Sequence, residues 1–127
     1  MMTKETLRGY SVEIAQLLSD KKAGNVRVID VESVTPFFDF IIIASAESFV
    51  QINALGRYVK DKLDEFKMRR LHPLDLSVET PWLLIDCGDI VIHIFNEEAR
   101  DFYNLEKLWA EGSLVEFESV KKDEAVI

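Results

Sequence analysis

Apolar side chains recur along the first part of the chain at two different spacings. Over residues 4–21 they fall three and four positions apart and form one stripe, which predicts a helix with Thr3 as its N-cap. The β-branched run 26–31 predicts a strand, and residues 33–36 break it because Pro36 disfavours continued pairing. Residues 37–44 are apolar on both faces, which predicts a central strand covered on both sides.

The helical spacing returns after a short loop at residues 45–47. Ser48 and Gln51 fit a capping box, which predicts the start of a second helix there. Its apolar positions keep the spacing of one helix face, and they are Ile52, Leu55, Val59, Leu63 and Phe66. Residues 74–80 fit either a weak strand or a loop.

The last part of the chain alternates short apolar runs with turn residues. Residues 82–85 and 90–95 are predicted to pair as a hairpin, with Gly88 free to take a positive φ in the turn. A short helix is predicted from about residue 97 to Gly112, capped by Asn96, and residues 114–117 are predicted as a final strand.

These elements predict an α/β fold, a mixed sheet of about five strands packed by helices. We expect one domain over residues 1–118. Residues 119–127 are expected to form a charged, flexible tail.

Charge and cysteine content narrow the functional classes. With 15 basic and 23 acidic side chains among 127 residues, the net charge of −8 disfavours phosphate-backbone binding and favours basic partners. The basic run from Lys67 to Arg70 has too few charges for a nucleic-acid site and fits a solvated helix end.

Cys87 is the only cysteine, so no internal disulfide or cysteine-based zinc site is available. With no signal peptide or membrane span predicted, a cytoplasmic location is expected.

Few residues offer catalytic chemistry. His93 lies on a predicted strand and could act as a base or ligand if Asp86 or Asp89 across the hairpin came close. The favoured alternative is a packed histidine, bonded to a carboxylate or to a partner surface. Aspartates beside Gly88 are also typical of hairpin turns. No glycine-rich phosphate loop is present, so neither a metal nor a cofactor is predicted.

An aromatic and acidic group of residues follows the hairpin. Phe102, Leu105 and Trp109 have roughly helical spacing, and Tyr103 and Glu106 occupy an adjacent stripe. Core packing and partner contact both stay open for Phe102 and Leu105. For Tyr103 and Trp109 a protein interface is favoured, because a small domain has limited room for both.

The segment from Trp82 to Trp109 resembles the ribosomal silencing factors, also called the Iojap-like family. The family pattern W-x-x-x-D-x-G-D-x-x-V-H-x-F is matched here by WLLIDCGDIVIHIF, with Ile92 at the valine position, and R-x-x-Y-x-L-E-x-L-W is matched by RDFYNLEKLW. About a dozen fixed positions fall in register, and a looser resemblance extends over residues 4–118.

The resemblance implies a nucleotidyltransferase-like topology without transferase activity. It also implies a translational repressor that binds the large ribosomal subunit through that subunit's ribosomal protein number fourteen and blocks joining of the small subunit. A homodimer is expected when the protein is free. The positions that match the family's partner-facing surface are Trp82, Asp86, His93, Arg100, Tyr103, Leu105, Glu106 and Trp109.

Two other functions stay open. A metal-dependent nucleotidyltransferase would use Asp86, Asp89 and His93, although no Asp-x-Asp follows Ser45 to hold a pair of metals. A homodimeric scaffold would bury the aromatic residues only against a second copy.

Overall fold

The computed structural model describes residues 2–118 and places β2 at the centre of one sheet. All seven residues of β2 are buried, as their unbroken apolar sequence predicts. The elements in chain order are α1 (Lys4–Asp20), β1 (Gly24–Asp30), β2 (Phe40–Ala46), α2 (Phe49–Glu65), β3 (Trp82–Asp86), β4 (Ile90–Asn96), α3 (Glu97–Tyr103), α4 (Leu105–Leu108) and β5 (Ser113–Leu114).

The five strands lie in the order β3-β4-β2-β1-β5. Strands β2 and β4 are parallel, while the other three neighbouring pairs are antiparallel. The predicted mixed sheet of an α/β fold is therefore confirmed. Strands β2 and β4 run in the same direction, and each is followed by a helix. Helices α2 and α3 therefore begin at the same end of the strands.

Helices α1 and α2 cover the first face of the sheet. Alternate residues of each strand point towards them, and together they form one continuous core. Its fully buried members include Ile14, Leu18, Val28, Phe40, Ile42, Ile52, Val59, Leu63, Ile90, Ile92 and Ile94. The apolar stripes predicted for the two helices supply the helical side of this core.

The predicted helix starts and hairpin are confirmed. Thr3 accepts a hydrogen bond from the Thr6 backbone, and Asn96 caps α3 through Ala99. Gly88 takes a φ of 86° in the turn between β3 and β4. No helix within residues 2–118 is long and apolar enough to span a membrane.

The capping box of α2 is confirmed in part. Ser48 accepts from the backbone N–H of Gln51 at 3.1 Å, whereas the Gln51 side chain returns to the N–H of Glu47 at 2.6 Å. The cap therefore satisfies one backbone donor inside the helix and one in the preceding loop.

Two strand predictions were wrong by three residues at one end, whereas β1 differs from its predicted bounds, 26–31, by at most two. β2 begins at Phe40 and not at residue 37, because Phe37 is 80% exposed and the N–H groups of Asp39 and Phe40 both donate to the carbonyl of Asp89. The last strand is Ser113–Leu114 and not 114–117, since it pairs with only the last two residues of β1.

The helix predicted from residue 97 to Gly112 was also wrong, because it is two helices. Asn104 sits between them in the left-handed conformation, with φ 47° and ψ 56°, so it ends α3 and redirects the chain into α4. Residues 74–80, left open between strand and loop, contain no strand. The predicted tail, residues 119–127, lies outside the described residues.

Candidate protein-binding surface

The second face of the sheet is covered over only part of its area. Helices α3 and α4 and the loop before β2 pack over a smaller cluster built on β1, β2 and β4. Towards the free edge at β3 this cover stops, and Leu84 is 47% exposed. The second cluster contains Ile29, Val31, Ile41, Ile43, Phe95 and Ala99, with Val34, Phe38, Trp82, Leu105 and Trp109 packed against it.

Trp82 and His93 form the polar centre of this face. The indole N–H of Trp82 donates to Nδ1 of His93 at 3.0 Å, across neighbouring strands. The Trp82 ring also lies 4.9 Å from the Phe95 ring and 4.7 Å from the Tyr103 ring, measured between centroids. Trp82 therefore ties the edge of the sheet to the end of α3.

His93 is neutral in this setting. Burial lowers the pKa of the imidazole to about 4, and the negative charge of Asp86 opposes that shift only in part. A carboxylate partner, one of the arrangements expected from the sequence, is replaced by the indole donor. An uncharged imidazole bonded to a tryptophan can recognise a partner, but it is a poor base at neutral pH.

Arg100, on α3, connects the two helices that cover the second face to the sheet beneath them. Its guanidinium is 4% exposed; Nη1 donates to the Ser45 hydroxyl on β2 at 2.8 Å, and Nε donates to Glu106 on α4 at 2.9 Å. The hydrogen bond from Arg100 lowers the pKa of the Glu106 carboxyl, against an opposing effect of burial. Arg100 thus holds α4 and β2 in one arrangement, although its Nη2 is buried without a partner in the described chain.

The break at Asn104 turns several apolar side chains outward. Phe102 is 80% exposed, Leu108 is 67% exposed and Tyr103 is 50% exposed. Leu105 and Trp109 point the other way and pack on the second cluster, where Trp109 meets Phe38 edge to face at 5.3 Å. The question left open by the sequence is thus answered differently for each residue: Phe102 is outside the core, whereas Leu105 is against it.

The Asp86 carboxylate stabilises the hairpin turn. Asp86 accepts from the backbone N–H of Gly88 at 2.9 Å, which is the local bond that aspartates make in turns. The neighbouring Cys87 thiol is buried, and burial together with Asp86 raises its pKa to about 11. Within residues 2–118 no group of three or more His, Cys, Asp or Glu side chains is arranged to hold a metal ion.

The structure brings all eight sequence-predicted site residues onto or beside one face of the sheet. Trp82, His93 and Tyr103 lie together at its open part, and Arg100, Leu105, Glu106 and Trp109 form the layer beside it. Asp86 shares the face at its far end, beside the hairpin turn. Sequence reasoning missed three contributors to this face, Phe38, Ser45 and Leu84, although alternation along β3 would have found Leu84.

Comparison with known proteins gives one matching family model and several similar sequences. The family model described as "Ribosomal silencing factor during starvation" matches residues 4–126. The Ribosomal silencing factor RsfS of Bacillus subtilis is 33% identical over 106 residues, which are 82% of this chain and 87% of that protein. The chloroplastic protein Iojap of Arabidopsis thaliana is 38% identical over 107 residues, which are 84% of this chain and 44% of that longer protein.

Two solved structures share the fold. A crystal structure of a Chromobacterium violaceum protein superimposes with a TM-score of 0.73 at 27% identity, and it covers 95% of this chain and 97% of that one. A crystal structure from Bacillus halodurans gives a TM-score of 0.71 at 30% identity, over 90% of this chain and 100% of that one. The match over nearly the whole sequence, together with these relatives, shows that the chain belongs to the ribosomal silencing factor family.

Proposed function

We propose that the protein represses translation by binding the large ribosomal subunit through its ribosomal protein number fourteen, which sterically blocks joining of the small subunit. The observation that carries this proposal is the half-open second face of the sheet, where Trp82, His93 and Tyr103 meet beside exposed apolar side chains. Aromatic residues at the centre of a patch are typical anchors of protein interfaces.

Charge supports a basic partner for this surface. Acidic side chains begin α3 at Glu97 and Glu98, and Glu106 lies on α4 beside the same face. The whole chain carries −8, so its field attracts a basic ribosomal protein and speeds the encounter. Naked RNA is a poor match for the same surface, because like charges repel.

The proposed action is occlusion and not catalysis. His93 is neutral and bonded to an indole, Asp86 accepts a turn hydrogen bond, and the pKa of Cys87 is raised, so the polar groups of the face are poorly suited to acid, base or nucleophilic roles. We further propose that the protein acts in the compartment that holds the ribosome, the cytoplasm, and forms a homodimer when free.

Co-sedimentation with isolated bacterial large subunits tests the proposal. Wild-type protein should sediment with the subunits, and Tyr103→Ala should lose this binding because half of the ring is available to a partner. Trp109→Ala should weaken binding as well, with some loss of stability because its ring packs on the second cluster. Tyr58→Ala is the matched control, since that ring is 42% exposed on α2, in the layer over the opposite face.

Two results would count against the proposal. If wild-type protein fails to sediment with large subunits at any salt concentration, the ribosome is not its partner. If calorimetry shows that Mg²⁺ and a nucleoside triphosphate bind and that Asp86→Asn abolishes this binding, a nucleotidyltransferase activity replaces repression. Light scattering of the wild type and of Tyr103→Ala separates ribosome docking from a dimer that uses the same ring.

A further inference from the structure

The two ring nitrogens of His93 have different surroundings. Nδ1 receives the indole N–H of Trp82 at 3.0 Å. Indole can only donate, so Nδ1 must present its lone pair, and a neutral imidazole then carries its single proton on Nε2. Trp82 thereby fixes the tautomer of His93.

The proton on Nε2 has no acceptor in the described part of the chain. Within residues 2–118, Nε2 makes no hydrogen bond, and it is not among the polar side-chain atoms that are sealed from solvent without a partner. His93 as a whole is only 8% exposed, so Nε2 reaches solvent at the surface of an otherwise buried ring. Its neighbour across the strand pair is Leu84, which is 47% exposed and leaves that side open.

We propose that His93 is a specificity-determining residue of the docking surface, which donates its Nε2–H to an uncharged acceptor oxygen, such as a main-chain carbonyl, of the docked protein. This inference rests on the proposed function, since the docked protein is the one on the large ribosomal subunit. Once a partner covers the face, a donor with no acceptor is costly, so a partner without an oxygen at this position is rejected.

The surroundings of the ring favour a neutral acceptor over a carboxylate. Asp86 on the adjacent strand is the charged group whose field acts on the imidazole, and the two rings in contact with it, Trp82 and Phe95, carry no charge. A partner carboxylate here would lose its hydration against apolar rings and would face the negative charge of Asp86. A carbonyl or hydroxyl oxygen pays neither penalty.

Because the His93 ring is buried, it presents the same single donor, Nε2–H, throughout the physiological pH range. Because burial lowers the pKa of His93 to about 4, the ring stays neutral at physiological pH and Nδ1 stays an acceptor for Trp82. The pair therefore presents one fixed N–H, and the partner meets a preorganised site.

Two substitutions at His93 test the role of this proton. Glutamine carries an N–H donor close to the position of Nε2, whereas leucine fills the space without one. Affinity for isolated large ribosomal subunits is expected to fall about tenfold in His93→Leu and to be largely retained in His93→Gln. His72→Leu is the control, because His72 is exposed in a different segment.

The tautomer has a readout of its own in the free protein. Nitrogen NMR of the histidine ring should show the proton on Nε2 and an unprotonated Nδ1, and Trp82→Phe should allow both tautomers. A protonated Nδ1 in the wild type overturns the inference even if ribosome binding is intact. Equal affinity of His93→Leu and wild type, or equal loss in His93→Leu and His93→Gln, overturns it as well. Absence of binding by the wild type instead overturns the proposed function and the docking role of His93 with it.

Discussion

The two faces of the sheet differ in how completely they are covered. The first face lies under two helices of 17 residues each, and its central side chains are fully buried. The second face lies under helices of seven and four residues, and part of the edge strand β3 stays open, where Leu84 is 47% exposed. The same strands thus carry a core that stabilises the fold on one side and a smaller cluster with an open margin on the other.

The difference extends to the kind of residue on each face. The first face is almost wholly aliphatic, whereas the second mixes aliphatic residues with Trp82, His93, Phe95 and Arg100. Aromatic and polar side chains at a partly open surface keep hydrogen-bonding groups available, which an aliphatic core does not. Stability therefore rests mainly on the first face, and the proposed recognition on the second.

The largest contrast in stability is expected between Ile42→Ala and Leu84→Ala. Ile42 is fully buried on the first face, so its loss leaves a cavity and should lower the free energy of unfolding by about 2–5 kcal/mol. Leu84 is 47% exposed, so Leu84→Ala should cost less than about 1 kcal/mol while weakening large-subunit binding. Urea unfolding and co-sedimentation measure the two effects. Comparable destabilisation by both substitutions would contradict the division between faces.

His93 should make the stability of the second face depend on pH. Its pKa falls from 6.5 to about 4 on folding, so the unfolded chain binds more protons between these values and stability rises with pH through this window. This group alone should make the fold about 3 kcal/mol less stable at pH 4 than at pH 7.

Urea unfolding of the wild type and of His93→Gln at both pH values isolates this contribution. Other groups such as Asp30, whose pKa is lowered by Lys4 despite an opposing effect of burial, act equally in both proteins. The difference between pH 7 and pH 4 should shrink in His93→Gln. An unchanged difference would show that the imidazole is not held neutral by the fold.

Glu106→Leu should have a moderate effect, because it removes the carboxylate that pairs with the Arg100 guanidinium. Breaking a buried ion pair costs about 3–5 kcal/mol, but the Glu106 side chain is 35% exposed, so a loss of about 1–2 kcal/mol is expected. Glu106→Gln keeps an acceptor and should cost less. Hydrogen exchange should show faster opening of α4 in the leucine variant, whereas uniform protection would exclude the role of this pair in holding α4.

The first face was predictable from sequence because its signal is periodic. The stripes of α1 and α2 and the apolar run of β2 each follow from repeated spacing, and burial of Ile14, Ile42 and Ile52 agrees with them. The parallel pairing of β2 with β4 was not predictable in the same way. It joins segments about 50 residues apart, and no local pattern encodes that register.

For the second face, the sequence indicated several of the residues that lie on it but not the contacts between them. The resemblance singled out Trp82, His93 and Tyr103, and the structure places them together, yet the indole-to-imidazole bond depends on a rotamer and a strand register that spacing does not show. The contact between Arg100 and Ser45 spans 55 positions and was missed for the same reason. Polar contacts between distant segments have no periodic signature, so a single sequence does not reveal them.

The smallest effect is expected at Asn104, whose left-handed backbone separates α3 from α4. Asn104→Ala should cost about 1 kcal/mol, because a β-carbon is disfavoured in that conformation and alanine favours one continuous helix. Asn104→Gly should be close to neutral, since glycine takes positive φ readily. The break directs Tyr103 outward and Leu105 inward, so Asn104→Ala should weaken large-subunit binding more than its small loss of stability explains. Urea unfolding and co-sedimentation of the two variants provide the check. Equal binding by Asn104→Ala and Asn104→Gly would show that the docking surface tolerates a straight helix, and recognition would then rest on the Trp82 and His93 side of the face alone.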